Sequence, residues 1–153
     1  MSTTEPATRC GVGIRGVAIT VDAVVWFALF FATTLSVAAG TGHLTATADG
    51  LTANLDGTPA AIAFTLWLAL GLTYHTVFEW WYGKTLGKYL VSIRAARVDG
   101  TPLSLHESFS RNVVRLVDFL PVCYLVGIGF LTVSDDNQRL GDRVADTVVV
   151  RGD

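Results

Sequence analysis

The stretch "VAITVDAVVWFALFFATTLSVAA", Val17–Ala39, holds one charge, Asp22, in 23 residues. At a helical rise of 1.5 Å per residue it reaches roughly 34 Å, more than the hydrocarbon thickness of a bilayer, about 30 Å. A cleaved signal peptide would share the basic N-terminal flank and the small residues near Ala39. Its apolar region would be shorter, about 7–15 residues, and an embedded acid would serve it poorly. The stretch therefore reads as a transmembrane helix.

Outward from it, the rest of the chain agrees. Mean hydropathy is +0.48 and only 16% of the 153 residues are charged, against roughly a quarter in soluble domains. The net charge of −2 gives no reason to expect nucleic acid. Cys10 and Cys123 are too few and too distant for a disulfide framework or a structural zinc site, and read as small packing residues. A second span, Ala60–Tyr82, ends in Trp80, Trp81 and Tyr82, the aromatic residues favoured at a membrane–water interface.

Charge orients the two spans. The 40–59 segment, "GTGHLTATADGLTANLDGTP", carries Asp49 and Asp56 but no Lys or Arg. Arg9 and Arg15 precede the first span, and the other nine of the eleven basic residues follow from Lys84 onward. The positive-inside rule places both termini on the cytoplasmic side and the 40–59 loop outside. A multi-pass protein of the cell membrane is expected.

A third apolar stretch, "VVRLVDFLPVCYLVGIGFLTV" (Val113–Val133), is less simple. A full crossing would put Arg139, Arg143 and Arg151 outside, against the charge map. Pro121 lacks a backbone N–H and disfavours helix at Leu120. The halves on either side of that break reach about 15–18 Å each, roughly half a bilayer. A re-entrant hairpin entering from the cytoplasmic side is preferred to a kinked span. Between Tyr89 and Leu105 the Asp99-Gly100 pair suggests a β-hairpin, and "DTVVVR" (Asp146–Arg151) a short strand. Pairing between these regions would bring both ends of the third stretch to one side. The expected fold is one mostly α, integral membrane domain over residues 1–153: two transmembrane helices, a Pro-hinged helical element over 111–133 and a small cytoplasmic β element.

Arg15 and Asp22 lie seven residues apart, two helical turns, and Arg111 and Asp118 repeat that spacing with Arg115 between them. Arg115 and Asp118, at i and i+3, are in reach of each other, whereas Arg15 and Asp22 need partners on another segment. A charge at the bilayer centre costs at least about 2.5–3.5 kcal/mol, so a cluster of Arg15, Asp22, Arg115 and Asp118 is expected. It reads either as a lock between helices or as an ion or proton path. Glu79, one turn after His75, is a candidate auxiliary proton site, and Arg139 and Asp142 flank Gly141 in a charged turn. The two lysines of "YGKTLGKYL" (Tyr82–Leu90) are expected at anionic headgroups, since the segment lacks the first glycine of a phosphate loop. No metal site, cofactor or catalytic nucleophile is expected, and no enzyme.

Four segments taken in order, "IRGVAITVDAVV", "WWYGKTLGKYLVSIRAARVDGTPLSL", "SRNVVRLVDFLPVCYLVGIGFL" and "NQRLGDRVADTVVV", resemble the RDD family of small multi-pass membrane proteins. The resemblance implies that Arg15 and Asp22 are the arginine and first aspartate of the family's name, with Asp118, or else Asp142, the second. Asp146 stands where the family pattern usually has glycine. The resemblance also implies a transport role, including cation/proton antiport for some members. On that reading Asp22 and Asp118 bind protons or monovalent cations alternately, and Arg15 and Arg115 tune them. A chain this small with two spans would then work as a homo-oligomer. The alternative is a non-transporting membrane adaptor, whose charge cluster is scaffold and whose cytoplasmic face docks a protein partner or anionic lipid.

Overall fold

In the computed structural model, residues 10–118, 142 and 144–151 are described, with the side chains of Val12, Val117 and Asp118 left aside. The chain forms α1 (Val12–Thr41), β1 (Leu44–Thr47), β2 (Gly50–Ala53), α2 (Gly57–Tyr82), α3 (Leu86–Leu90), β3 (Ile93–Arg97), α4 (Leu105–Asp118) and β4 (Thr147–Arg151). It divides into two compact units, one of Ala23–Thr73 and one of the residues up to Asp22 together with Tyr74 onward.

Both long helices extend beyond the apolar runs that define them in sequence. Gly13–Thr41 and Gly57–Tyr82 span 29 and 26 residues and are long and apolar enough to cross a membrane. Only 22% of the most apolar window of each is buried within the chain. In the Ala23–Thr73 unit, Trp26 anchors the helix pair. Its ring stands edge-on to Trp67 at 5.3 Å, and the Trp67 indole N–H donates to the Trp26 carbonyl at 3.0 Å. A Cβ at Gly71 would lie 2.7 Å from the Trp26 ring, so only glycine lets that ring seat. Phe27, Phe31 and Phe64 remain exposed on the outside.

The 40–59 segment is more than a loop. Strands β1 and β2 pair antiparallel, Leu44 opposite Ala53 and Thr47 opposite Gly50, leaving Ala48-Asp49 as a two-residue turn.

In the other unit β3 pairs antiparallel with β4, from Ile93 opposite Arg151 to Arg97 opposite Thr147. Cys10, Ala18, Ile93 and Val149 form a small apolar core beneath the sheet, the Cys10 thiol acting there as a packing group. The β-hairpin expected within 89–105 is not formed. The chain does turn at Asp99-Gly100: Gly100 has φ +82°, and the Arg97 N–H donates to the Thr101 carbonyl at 2.9 Å. Pro102, with no N–H, cannot extend that contact into a ladder. Ser104 and Glu107 then open α4 as a reciprocal capping box, the Ser104 N–H and hydroxyl donating to the Glu107 carboxylate at 2.8 and 2.7 Å. These two donors hold the Glu107 carboxyl below its usual range. Helix α4 therefore starts six residues before the helical element read from position 111. Asp146 has φ +50°, a left-handed conformation that glycine adopts freely and aspartate tolerates better than most residues. That is the physical content of the glycine implied at this position. The third apolar stretch beyond Asp118, with its Pro121 hinge, and Arg139 lie outside the described residues, as does Cys123.

Candidate functional site

Two polar centres lie within the unit made of the chain's two ends. The first surrounds Asp22. Its carboxylate accepts the Thr85 hydroxyl at 2.7 Å, the Gly87 N–H at 2.9 Å and the Tyr74 hydroxyl at 3.0 Å. The Tyr74 oxygen in turn accepts the Leu86 N–H at 2.9 Å. Thr85 serves twice, because its oxygen also accepts the Lys88 N–H as the N-cap of α3. Gly87 lies so close to α1 that a Cβ would fall inside contact distance of the Ala18 carbonyl oxygen and 2.9 Å from Asp22 Cγ. "KTLGK" is thus a latch: a hydroxyl and an amide, one turn of helix and one obligatory glycine, closing on an aspartate that is 3% exposed. All three groups around Asp22 donate. That arrangement fixes the carboxylate against α3 and Tyr74 through three short hydrogen bonds.

The second centre is built on Glu79, which is fully buried. Its carboxylate meets the Lys88 ammonium through Oε1, Arg111 Nε at 3.4 Å and Arg115 Nη1 at 3.7 Å. The Asn112 amide donates to Oε2 at 3.2 Å. Arg111 carries the network onward: Nη2 lies 2.8 Å from Asp142 Oδ1, and Nη1 donates to Thr147 Oγ1 at 3.0 Å. Asp142 also receives Arg15 Nη1 at 2.9 Å through its other oxygen. Side chains of α1, α3 and α4 therefore converge on two carboxylates, Glu79 of α2 and Asp142 ahead of β4. Burial alone would push the Arg111 guanidinium down; Asp142 and then Glu79 outweigh it and hold it above its usual value.

His75 completes the cluster. Its Nδ1 lies 2.9 Å from Arg115 Nη1. A guanidinium can only donate, so Nδ1 must accept and the ring proton sits on Nε2.

The structure redistributes the residues read from sequence. Arg15 and Asp22, seven residues apart, belong to different centres, Arg15 with Asp142 and Asp22 with the latch. Arg115 faces Glu79 and His75. The side chain of Asp118 lies outside the description, so its expected pairing with Arg115 does too. Glu79, read as auxiliary, is the hub, and Asp142 is buried and paired with Arg15 and Arg111. Lys88, read as a headgroup lysine, is 4% exposed and turned onto Glu79. Its sequence signal was the "KTLGK" spacing: with Thr85 capping a single helical turn, Gly87 and Lys88 share the inward face while Leu86, Tyr89 and Leu90 are exposed. Among the described residues no group of three or more His, Cys, Asp or Glu is placed to hold a metal ion.

Compared with known proteins, residues 9–146 match the family model described as the RDD family. No curated protein and no solved structure matches the chain.

Proposed function

We propose that this chain, which belongs to the RDD family, is a multi-pass cell-membrane protein with cytoplasmic termini that exchanges protons for monovalent cations, or a subunit of such an exchanger. The observation that carries the reading is the Glu79 centre, an acid in an apolar helix enclosed by Lys88, Arg111, Arg115 and His75. Buried ion pairs seldom stabilise a fold better than well-packed apolar residues would. A buried network of this size, at the Trp80–Tyr82 end of an apolar helix, is therefore better explained by a task, and ionisable residues within such helices are a default site for protons and ions. Two spans enclose little volume, so the working form is a homo-oligomer. Asp22 serves this reading by fixing α3, and with it Lys88, against α1. The test is a pH jump across proteoliposomes holding the purified chain. Proton movement that depends on sodium or potassium supports exchange; its absence from correctly folded protein refutes it.

A second reading rests on the completeness of the pairing. Glu79 and Asp142 are both saturated with donors, as befits a scaffold that docks a partner rather than moving an ion. On this adaptor reading, affinity capture through residues 89–110 recovers the same partner repeatedly, and Glu79→Gln lowers stability with no flux to lose.

A further inference from the structure

The centre around Glu79 holds more positive than negative groups. Among the described residues Arg15, Lys88, Arg111 and Arg115 face two carboxylates, Glu79 and Asp142. The three guanidiniums keep their protons at any physiological pH. His75 already accepts from Arg115 through Nδ1 and cannot take a proton there without setting two donors against each other. Glu79 and Asp142 each face at least two cations. One group is left with a proton to give.

We propose that Lys88 is the proton-binding and proton-releasing group of this buried cluster, its ammonium seated on Glu79, a carboxylate that it shares with Arg111 and Arg115. The groups facing it are His75 and Glu79 from α2, and Arg111 and Arg115 from α4; Asp22 of α1 holds the backbone of α3 through Gly87. Release breaks one N–H bond of the ammonium. The electron pair stays on nitrogen and the proton leaves for water. The neutral amine still has two N–H bonds with which to hold Glu79, so the fold of the latch is kept while one of four positive charges is removed. Burial, the largest influence, pushes the Lys88 ammonium down to about 7, and Arg111 and Arg115 push the same way against Glu79. An arginine in its place keeps its charge at any physiological pH and abolishes the release. The assignment gives the proposed exchange its proton carrier and rests on that reading for its purpose, although the titration itself does not.

The sequence makes the test direct, because Lys84 and Lys88 are its only lysines. The full chain, labelled with carbon-13 at lysine Cε and held in detergent micelles, gives two resonances, and Lys88→Arg identifies one by its loss. The proposal expects that resonance to titrate with a midpoint near 7, and Glu79→Gln to move the midpoint lower. A resonance that keeps its ammonium shift up to the ordinary lysine range, about 10.4, overturns the proposal. So does a Glu79→Gln midpoint that stays in place or rises. Should Glu79→Gln fail to fold, the wild-type titration decides alone. A neutral midpoint without ion-driven flux supports the lysine assignment and removes the exchange reading. Flux with Lys88 protonated into the ordinary range does the reverse.

Discussion

Replacing Gly87 with alanine tests the latch where it is tightest. The added Cβ would overlap the Ala18 carbonyl oxygen and lie 2.9 Å from Asp22 Cγ, and both neighbours are held on α1. Backbone oxygen cannot swing aside as a flexible side chain can, so α3 must back away by about an ångström. That shift breaks the 2.9 Å Gly87 N–H bond to Asp22 and loosens the 2.7 Å Thr85 bond. Losing one hydrogen bond to a charged acceptor costs about 1.5–3 kcal/mol, and overpacking about 1–3 kcal/mol. Together they predict a loss of roughly 3–5 kcal/mol. At about 2–4 °C per kcal/mol for a chain of this size, the melting temperature falls on the order of 10 °C. Thermal unfolding in one detergent, followed by near-ultraviolet circular dichroism, measures it. The control is Gly16→Ala in α1, where a Cβ meets nothing within 4 Å; there alanine should be neutral or stabilise by up to about 1 kcal/mol through helix propensity. A Gly87→Ala protein melting with the wild type would refute the latch.

Three further outcomes follow from the same geometry. Glu79→Gln strands Lys88, Arg111 and Arg115 without their shared carboxylate and should cost about 3–5 kcal/mol, read as a drop in melting temperature. Lys88, with its folded value pushed down to about 7 from an unfolded value of about 10.4, makes the unfolded chain hold the extra proton between the two. Its contribution is therefore complete above about 10.4, shrinks as pH falls, and is gone below about 7. The difference between wild-type and Lys88→Arg stability across that window should show this rise with pH, and a flat difference would count against it. Asp146→Gly should relieve the φ of +50° and leave stability unchanged or higher by up to about 1 kcal/mol, measured by thermal unfolding; a clear loss would mean that the aspartate side chain contributes something beyond its backbone conformation.

The two long helices were legible in sequence because a span is a one-dimensional property: length, apolar content and flanking charge are all local. The β pairing was only half legible. The Asp-Gly signal was read at Asp99-Gly100, where Pro102 and the Ser104–Glu107 capping box leave no second strand. At Asp49-Gly50 the same pair sits beside a true hairpin, Gly50 opening β2 after the Ala48-Asp49 turn with threonines at 45, 47 and 52 around it. The charges inside the chain were legible as residues needing partners, but the partners were not. Helical spacing proposes neighbours on one helix, whereas Arg15 is matched to Asp142, 127 positions away. Lys88 was missed for a related reason. A lysine after an aromatic belt ordinarily points to headgroups, and only the Thr85 cap and the Gly87 approach turn this one inward.

Ion-driven proton movement is the activity that the buried cluster is proposed to serve. Acid-loaded proteoliposomes carrying the wild-type chain and a luminal pH dye, given external sodium or potassium, should alkalinise inside. Vesicles carrying Lys88→Arg at equal density should not. A folded wild-type chain that leaves luminal pH unmoved by either cation would contradict the proposed exchange.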